Sequence, residues 1–282
     1  MAIAYKEEFE TKLQERLSAP TLWKEVCKVV YTNTNTIHNP YMTDATTFTG
    51  TRGTGYDSTA VATTDDTLVI STYYGSAEHI DRADLAQKTF SDFMEIADNM
   101  ATVLDEKVEA GMLAEHAQWT NFDNASIGGA AGNITVATSN IDDIITNMKE
   151  KIRTAGGRTL MERNGAFIIW READFSLVEA LARSQGFNTL DNALQNGIKQ
   201  GFVYGGVEHY SSSKHTAGHV FGGVKKAFTA GICKATYGLM KDIVNPVVAT
   251  KQISGVGLET RIDLAFKAWA KTAPVLFDIL VA

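Results

Sequence analysis

Residues 81–117, which read DRADLAQKTFSDFMEIADNMATVLDEKVEAGMLAEHA, decide the architecture of this chain. The apolar side chains in this stretch recur at intervals of three and four, as expected for one face of a helix. They are Phe93, Ala97, Met100, Leu104, Val108 and Met112. Acidic side chains fill the opposite face, which is predicted to be solvated or to contact another subunit. Asp81 and Asp84 are suited to the first turn, where carboxylates offset the positive helix end.

The predicted helix is long for a compact domain. At 1.5 Å per residue, about 35 residues would extend roughly 50 Å. Such a rod suits a broad, thin subunit better than a compact enzyme. Two alternatives remain open at this point: a packing helix inside a large α+β domain, or two helices separated near residues 89–91.

Two segments at the start of the chain are predicted to be helical. Residues 4–17 place Tyr5, Phe9 and Leu13 at intervals of four, which gives a narrow apolar stripe. A stripe of this kind on a terminal arm either binds another subunit or docks on its own domain. Residues 22–31 are more apolar and are also predicted to form a helix, with a strand as the alternative.

A Thr-rich stretch with clustered glycines, residues 43–66, precedes an alternating segment at residues 67–74. Thr favours extended backbone, and glycine permits the turn between two strands. The pattern predicts a two-stranded arm whose tip lies near Arg52. An isolated hairpin is marginally stable in water, so the arm is expected to lie on a neighbouring subunit. A disordered loop is the alternative. The candidate contact residues are Thr51, Arg52, Gly53 and Asp57.

The middle of the chain predicts one α/β lobe. A helix at residues 141–152 is followed by a buried strand at 166–170 and a second helix at 171–184. A short helix at 190–198 and strands at 203–210 and 219–224 complete the lobe. Residues 258–267 then alternate as a strand with one wet face, and 275–281 form a last strand. Both final strands are expected beside the long helix and residues 67–74, in a second, discontinuous lobe.

Composition and motifs exclude several classes of function. The formal net charge is −7, from 26 basic and 33 acidic side chains, which argues against a protein that grips nucleic acid. Cys27 and Cys233 show no metal-binding or redox spacing and are predicted to be buried apolar side chains. The sequence contains none of the common nucleotide-binding, hydrolase or zinc-protease motifs.

Three histidines lie close together in the sequence, at His209, His215 and His219. The glycine and serine content around them favours a loop, and metal ligation would need a further ligand and supporting contacts. No catalytic, cofactor-binding or metal site is therefore predicted.

Three stretches together resemble a known family. They are TLVISTYYGSAEHIDRADLAQKTFSDFMEIADNMATVLDEKVEAGML, AFIIWREADFSLVEALARSQG followed by GFVYGGVEHYSSS, and the closing GLETRIDLAFKAWAKTAPVLFDILVA. They are similar, in order, to the extended loop entering the spine helix, the axial strands and helix, and the peripheral strands of tailed-bacteriophage major capsid proteins. This is the Hong-Kong-97-type fold, which encapsulin shells share. The likeness covers most of the chain by order of elements.

The resemblance implies an α+β fold with four parts. Residues 1–35 would form an N-terminal arm and residues 36–75 an extended β-hairpin loop. Residues 76–137 and 246–282 would form a peripheral domain with the spine helix and C-terminal strands. Residues 138–245 would form an α/β axial domain.

The resemblance also implies a mechanical function without enzymatic activity. The chain is expected to assemble with itself into hexamers and pentamers of an icosahedral phage head that encloses double-stranded DNA. It would be found in the virion after assembly in the host cytoplasm, without contact to a membrane. Portal and scaffolding proteins are the expected partners. Only about 35 residues precede the arm, which implies a separate scaffolding protein or a chain already processed, and the start at Met1 favours the separate scaffold.

Three other functions stay open on the sequence. One is an encapsulin-type compartment that encloses a cargo enzyme. A second is an unrecognised enzyme with its site in residues 138–245. A third is a tail or decoration protein, which the long helix and two-lobed order disfavour.

Overall fold

The computed structural model describes residues 21–42, 52, 62–81, 90–185, 201–233, 239–244, 247–248, 251–252 and 255–282. Within these ranges the chain has the predicted α+β architecture, with helices packed on two mixed sheets. The helices are α1 (Leu22–Val26), α2 (Phe90–Leu113), α3 (Ile141–Thr154), α4 (Arg158–Asn164) and α5 (Glu172–Ser184), with short 3-10 helices at Ala114–Gln118, Asn124–Ile127 and Ala273–Val275.

The strands lie before, between and after these helices. They are β1 (Lys28–Thr32), β2 (Thr36–Met42), β3 (Thr63–Val69), β4 (Tyr73–Asp81), β5 (Thr120–Phe122), β6 (Ala166–Arg171), β7 (Gly201–Tyr204), β8 (Val207–Ser212), β9 (His219–Val224), β10 (Phe228–Cys233), β11 (Leu239–Val244), β12 (Val247–Val248), β13 (Lys251–Gln252), β14 (Gly255–Ala268) and β15 (Leu276–Leu280).

Helix α2 buries the face that the sequence predicts. Met100, Leu104, Val108 and Met112 are all buried, which confirms the three-and-four spacing. Asp81 is the last residue of β4 and pairs with Gly255 of β14. Residues 82–89 lie outside the described residues, so the predicted start of the helix at Asp81 and Asp84 stays a prediction.

The sheet around β14 joins distant parts of the chain. Its strand order is β1-β10-β14-β11, and β4 also pairs with β14 in antiparallel register from Gly255↔Asp81 to Asp263↔Tyr73. The predicted alternation of this strand is confirmed, since Ile262, Leu264 and Phe266 are buried. The expectation that this strand lies beside the segment 67–74 is likewise confirmed for Tyr73 and Tyr74.

The second sheet has the strand order β5-β15-β9-β6-β8-β7 within the described residues. Its strand β6 is buried from Ala166 to Trp170, as expected for a strand covered on both faces. The apolar face of α3, Ile141, Ile144, Ile145, Met148 and Ile152, is buried as predicted. Helix α5 connects the parallel strands β6 and β8, which makes a βαβ unit. Strands β6 to β9 of this sheet belong to the predicted α/β lobe, but the predicted strand 203–210 is divided into β7 and β8, which pair antiparallel.

The last strand is not where the sequence analysis places it. Strand β15 was expected beside the long helix, but it lies in the second sheet between β5 and β9. Leu276 to Ile279 are all buried, so this strand needs partners on both sides and cover on both faces. The 3-10 helix Ala273–Val275 makes the turn that separates β15 from β14. The proposed domain boundaries remain a prediction.

Residues 22–31 combine the two predicted alternatives. The helix stops at Val26, and Lys28 to Thr32 form β1, which pairs in parallel with β10. Tertiary pairing with β10 decides the conformation of this apolar run, which local preference leaves open. The predicted strand 67–74 is also divided, because Ile70 to Thr72 separate β3 from β4. The segment between α2 and α3 contains the short strand β5.

Several predicted features lie outside the described residues. They are the helix at residues 4–17, the helix at residues 190–198 and most of the arm between residues 43 and 61. Among the described residues, no helix is long and apolar enough to cross a membrane.

The corrected position of β15 predicts a specific effect of Gly223→Ala. A Cβ at Gly223 would lie 2.5 Å from the Val275 carbonyl oxygen and 3.0 Å from Leu276 Cα, both backbone atoms that cannot swing aside. Gly128→Ala is a matched control, because Gly128 also has a positive φ but has nothing within 4 Å of its Cβ position. Denaturant unfolding should show Gly223→Ala to be about 1–3 kcal/mol more destabilising than the control. Equal losses of unfolding free energy in Gly223→Ala and Gly128→Ala would contradict the close packing of β9 against β15.

Candidate assembly surfaces

The arm begins as a two-stranded ribbon of β2 and β3, paired from Thr36↔Val69 to Met42↔Thr63. This pairing confirms the predicted two-stranded arm at its base. Leu68 and Ile70 are buried there. A Cβ at Gly231 of β10 would lie 2.7 Å from Ile37 Cδ1 and 2.8 Å from Leu68 Cδ2. Glycine at this position therefore lets the arm base pack closely on the five-stranded sheet.

A polar contact fixes the same base to β14. Lys267 Nζ lies 2.7 Å from Asp66 Oδ1 and donates a hydrogen bond to the Thr67 carbonyl oxygen at 2.9 Å. The Ala270 amide donates to Asp66 Oδ2 at 3.0 Å. Burial acts to raise the pKa of Asp66, but the hydrogen bonds from Lys267 and Ala270 outweigh it and lower that pKa. The arm is thus anchored at its root.

Apolar side chains stand exposed on and beside the arm. Met42 is 66% exposed, Val69 57% and Tyr73 59%, and Tyr31 of β1 is also exposed. On the same ribbon, His38 Nδ1 lies 2.6 Å from Asp65 Oδ2. Strands with large exposed apolar side chains are typical of surfaces that another chain covers.

A second set of contacts links α2 to the rest of the subunit. Trp23 Nε1 donates to Asp105 Oδ1 at 3.3 Å, and the Ser212 hydroxyl donates to the Glu109 carboxylate. Lys214 Nζ lies 2.8 Å from Glu106 Oε2. Desolvation raises the pKa of both Asp105 and Glu109.

These contacts correct the expected nature of the acidic face of α2. Asp105 and Glu109 are only partly exposed and bond to α1 and β8 of the same subunit, whereas Glu106 is exposed. The face was expected to be solvated or to contact another subunit. The difference arises because Trp23 and Ser212 lie more than 80 residues away in sequence, so the helix pattern carries no sign of them.

The three histidines considered in the sequence have different partners. His209 is buried, accepts a hydrogen bond from Trp170 Nε1 at 2.8 Å, and has a pKa lowered to about 4 by desolvation. Burial also lowers the pKa of His215 to about 4. His219 instead contacts Asp278. The two cysteines are buried, as predicted, and burial raises the pKa of the Cys27 thiol.

Ser126 lies beside Lys151, whose Nζ is 3.0 Å from the Ser126 hydroxyl oxygen. The Ser126 hydroxyl donates to Asp123 Oδ1 at 3.0 Å, inside a capping box that starts the 3-10 helix. Its proton is therefore committed to a structural hydrogen bond. This geometry is typical of a helix cap and not of an activated nucleophile.

The sequence itself matches no protein-family model and no curated protein. The fold does match solved structures over nearly its whole length. The mature capsid of bacteriophage PhiM1 has a TM-score of 0.60 at 13% identity, covering 94% of this chain and 88% of that one. The capsid of Ralstonia phage GP4 has a TM-score of 0.59 at 8% identity, with 91% and 87% covered. The virus-like particle from Pyrococcus furiosus has a TM-score of 0.58 at 8% identity, with 97% and 98% covered.

The chain has the capsid-protein fold. The family resemblance predicted from the sequence is thereby confirmed at the level of the fold. The sequence identity to these proteins, 8–13%, is low.

Of the predicted contact residues, the structure describes Arg52. Arg52 is exposed and lies in a turn. Tyr5, Phe9, Leu13, Thr51, Gly53 and Asp57 lie outside the described residues. Their role in subunit contacts remains a prediction.

The anchoring of the arm predicts the effect of Lys267→Met. Loss of the ion pair and of the bond to Thr67 should destabilise the arm base by about 1 kcal/mol, and amides of β3 should exchange hydrogen faster. Arg158→Met is the control, since its pair with Glu162 is highly exposed and its loss should leave β3 exchange unchanged.

The pH dependence of this contact has a defined sign. The lowered pKa of Asp66 means that its stabilisation is present above the ordinary value of 3.8 and is lost as pH falls through the folded pKa. Exchange in β3 that is insensitive to Lys267→Met would contradict the anchoring role.

Proposed function

We propose that this protein is a major capsid protein that assembles with itself into the hexamers and pentamers of an icosahedral phage head. The observation that carries the proposal is the match of one fold across almost the entire chain, including 94% of this chain against the PhiM1 mature capsid. Closed shells of this kind are built from repeated contacts between identical surfaces.

The arm supports assembly on physical grounds. A ribbon that is anchored at its base and carries exposed Met42 and Val69, with exposed Tyr73 beside it on β4, gains stability when a neighbouring subunit covers it. Each such contact is modest, and symmetry repeats it over the shell. We place the predicted contact residues Tyr5, Phe9, Leu13, Thr51, Arg52, Gly53 and Asp57 in these intersubunit surfaces.

Under the same proposal, the subunit has four parts. Residues 1–35 form the N-terminal arm, 36–75 the extended loop, 76–137 with 246–282 the peripheral domain, and 138–245 the axial domain. The pairing of β10 with β14 and of β9 with β15 crosses these ranges and ties the peripheral and axial parts together. The axial domain meets its copies at the capsomer axis.

The charge of the chain fits a container for nucleic acid. A formal net charge of −7 disfavours tight binding to phosphates, so packaged double-stranded DNA is enclosed without sequence-specific contacts. The protein acts mechanically and not as an enzyme. Scaffolding and portal proteins are its proposed partners, and assembly takes place in the host cytoplasm before the protein resides in the virion.

An encapsulin-type compartment is the second candidate function. It is favoured by the match to the Pyrococcus furiosus virus-like particle, in which 97% of this chain and 98% of that chain are covered. The contents of purified particles separate the two candidates. DNA inside supports the phage head, whereas an enclosed cargo protein supports the compartment.

An assembly assay with Val69→Asp tests the proposed role of the arm. Val69 is 57% exposed in the subunit, so the substitution should change the free energy of unfolding by less than about 0.5 kcal/mol. It should nonetheless abolish particles detected by light scattering and negative-stain microscopy, because a charge is buried at the contact.

Asn99→Asp is the matched control, because it adds the same charge at an exposed position of α2. It should leave particle yield unchanged. Normal particles from Val69→Asp would contradict the role of this arm surface.

A further inference from the structure

Three side chains from separate segments meet at one end of α2. His116 lies in the 3-10 helix Ala114–Gln118 that follows α2, His219 begins β9 and Asp278 lies in β15. Their ligand atoms all lie within 4.8 Å of one another. Asp278 Oδ2 is 2.8 Å from His219 Nδ1 and 3.8 Å from His116 Nδ1. The two imidazole rings stack with centroids 3.7 Å apart.

The buried carboxylate of Asp278 needs a compensating positive charge beside it. Asp278 is only 2% exposed, and burial raises its pKa, while the contacts with His219 and His116 act in the opposite direction. Among the described residues, the polar partners of its carboxylate are these two imidazoles. A buried carboxylate is costly unless it is paired with a positive charge. A cation held between the three groups would supply this positive charge.

The donor set is selective for a class of ion. Two imidazole nitrogens and one carboxylate oxygen form a ligand set that zinc and related divalent transition metals accept, with a fourth position left to water. The imidazole side chains of His116 and His219 are 28% and 25% exposed, so an ion reaches them from solvent. Tetrahedral zinc holds its ligand atoms roughly 3.4 Å apart. The two imidazole nitrogens lie 2.8 and 3.8 Å from Asp278 Oδ2, on either side of that spacing.

We propose that His116, His219 and Asp278 form a binding site for a divalent transition-metal ion of the zinc class. The ion would join the C-terminal end of α2 to β9 and β15 of the six-stranded sheet. The site thereby fixes the angle between the long helix and the α/β lobe within one subunit. This inference does not depend on shell assembly, since all three ligands belong to one chain.

Zinc binding to the purified full chain tests the site directly. After removal of metals with a chelator, calorimetric titration with zinc chloride at neutral pH should show one ion per chain. His219→Ala should weaken binding by more than about 10–100-fold, the loss typical of removing even a supporting contact of a metal ligand. Cobalt added in place of zinc should give a tetrahedral absorption spectrum that the variant lacks.

His38→Ala is the matched control. It removes another histidine whose Nδ1 lies 2.6 Å from an aspartate, but that pair is exposed and has no third ligand in the described part of the chain. Its zinc binding should equal that of the unaltered chain. Asp278→Asn keeps the shape of the side chain, so it serves if His219→Ala fails to fold.

Thermal unfolding provides an independent readout. Zinc should raise the Tm of the unaltered chain and of His38→Ala, because it binds the folded state, and should not raise that of Asp278→Asn. Absence of saturable zinc binding, or binding that both His219→Ala and Asp278→Asn retain, would overturn the proposal.

Discussion

The pairing of β14 with β4 is the constraint on which the rest of the structure depends. It joins Gly255 to Asp81 and Asp263 to Tyr73. Because these two strands lie far apart in the sequence, their pairing closes a very long loop of the chain. The arm strands β2 and β3 lie between β1 and β4 of this sheet along the chain, and α2 follows β4 in sequence. The same long strand pairs with β10 and β11. One strand therefore sets the position of the arm, the helix and the end of the chain.

This constraint also explains which surfaces are left for other subunits. The arm root is anchored on β14 by Lys267, while Val69 at the root and Met42 farther along the arm remain exposed. Burying side chains of this size stabilises an interface by about 1.5–3 kcal/mol each at most. In the proposed shell, such contacts would be weak for one subunit and strong when symmetry repeats them.

Local periodicity predicted the elements whose packing repeats along one face. Helices α2 and α3, the buried strand β6 and the alternating β14 follow directly from their apolar spacing. Sequence could not assign β15 to its sheet, because an apolar strand fits any site with two covered faces. It also could not find the partners of Asp105 or the cluster of His116 with Asp278, since tertiary folding brings these residues together from distant segments. The fold was thus predictable in its parts, and the contacts between those parts were not.

A cryo-electron microscopy reconstruction of the purified full chain tests the central claim most directly. The account predicts closed particles or rings of five and six subunits, in which the β2–β3 arm lies across a neighbouring subunit. A chain that stays a monomer of 30.7 kDa, even with crowding agents or a scaffolding protein present, would contradict it.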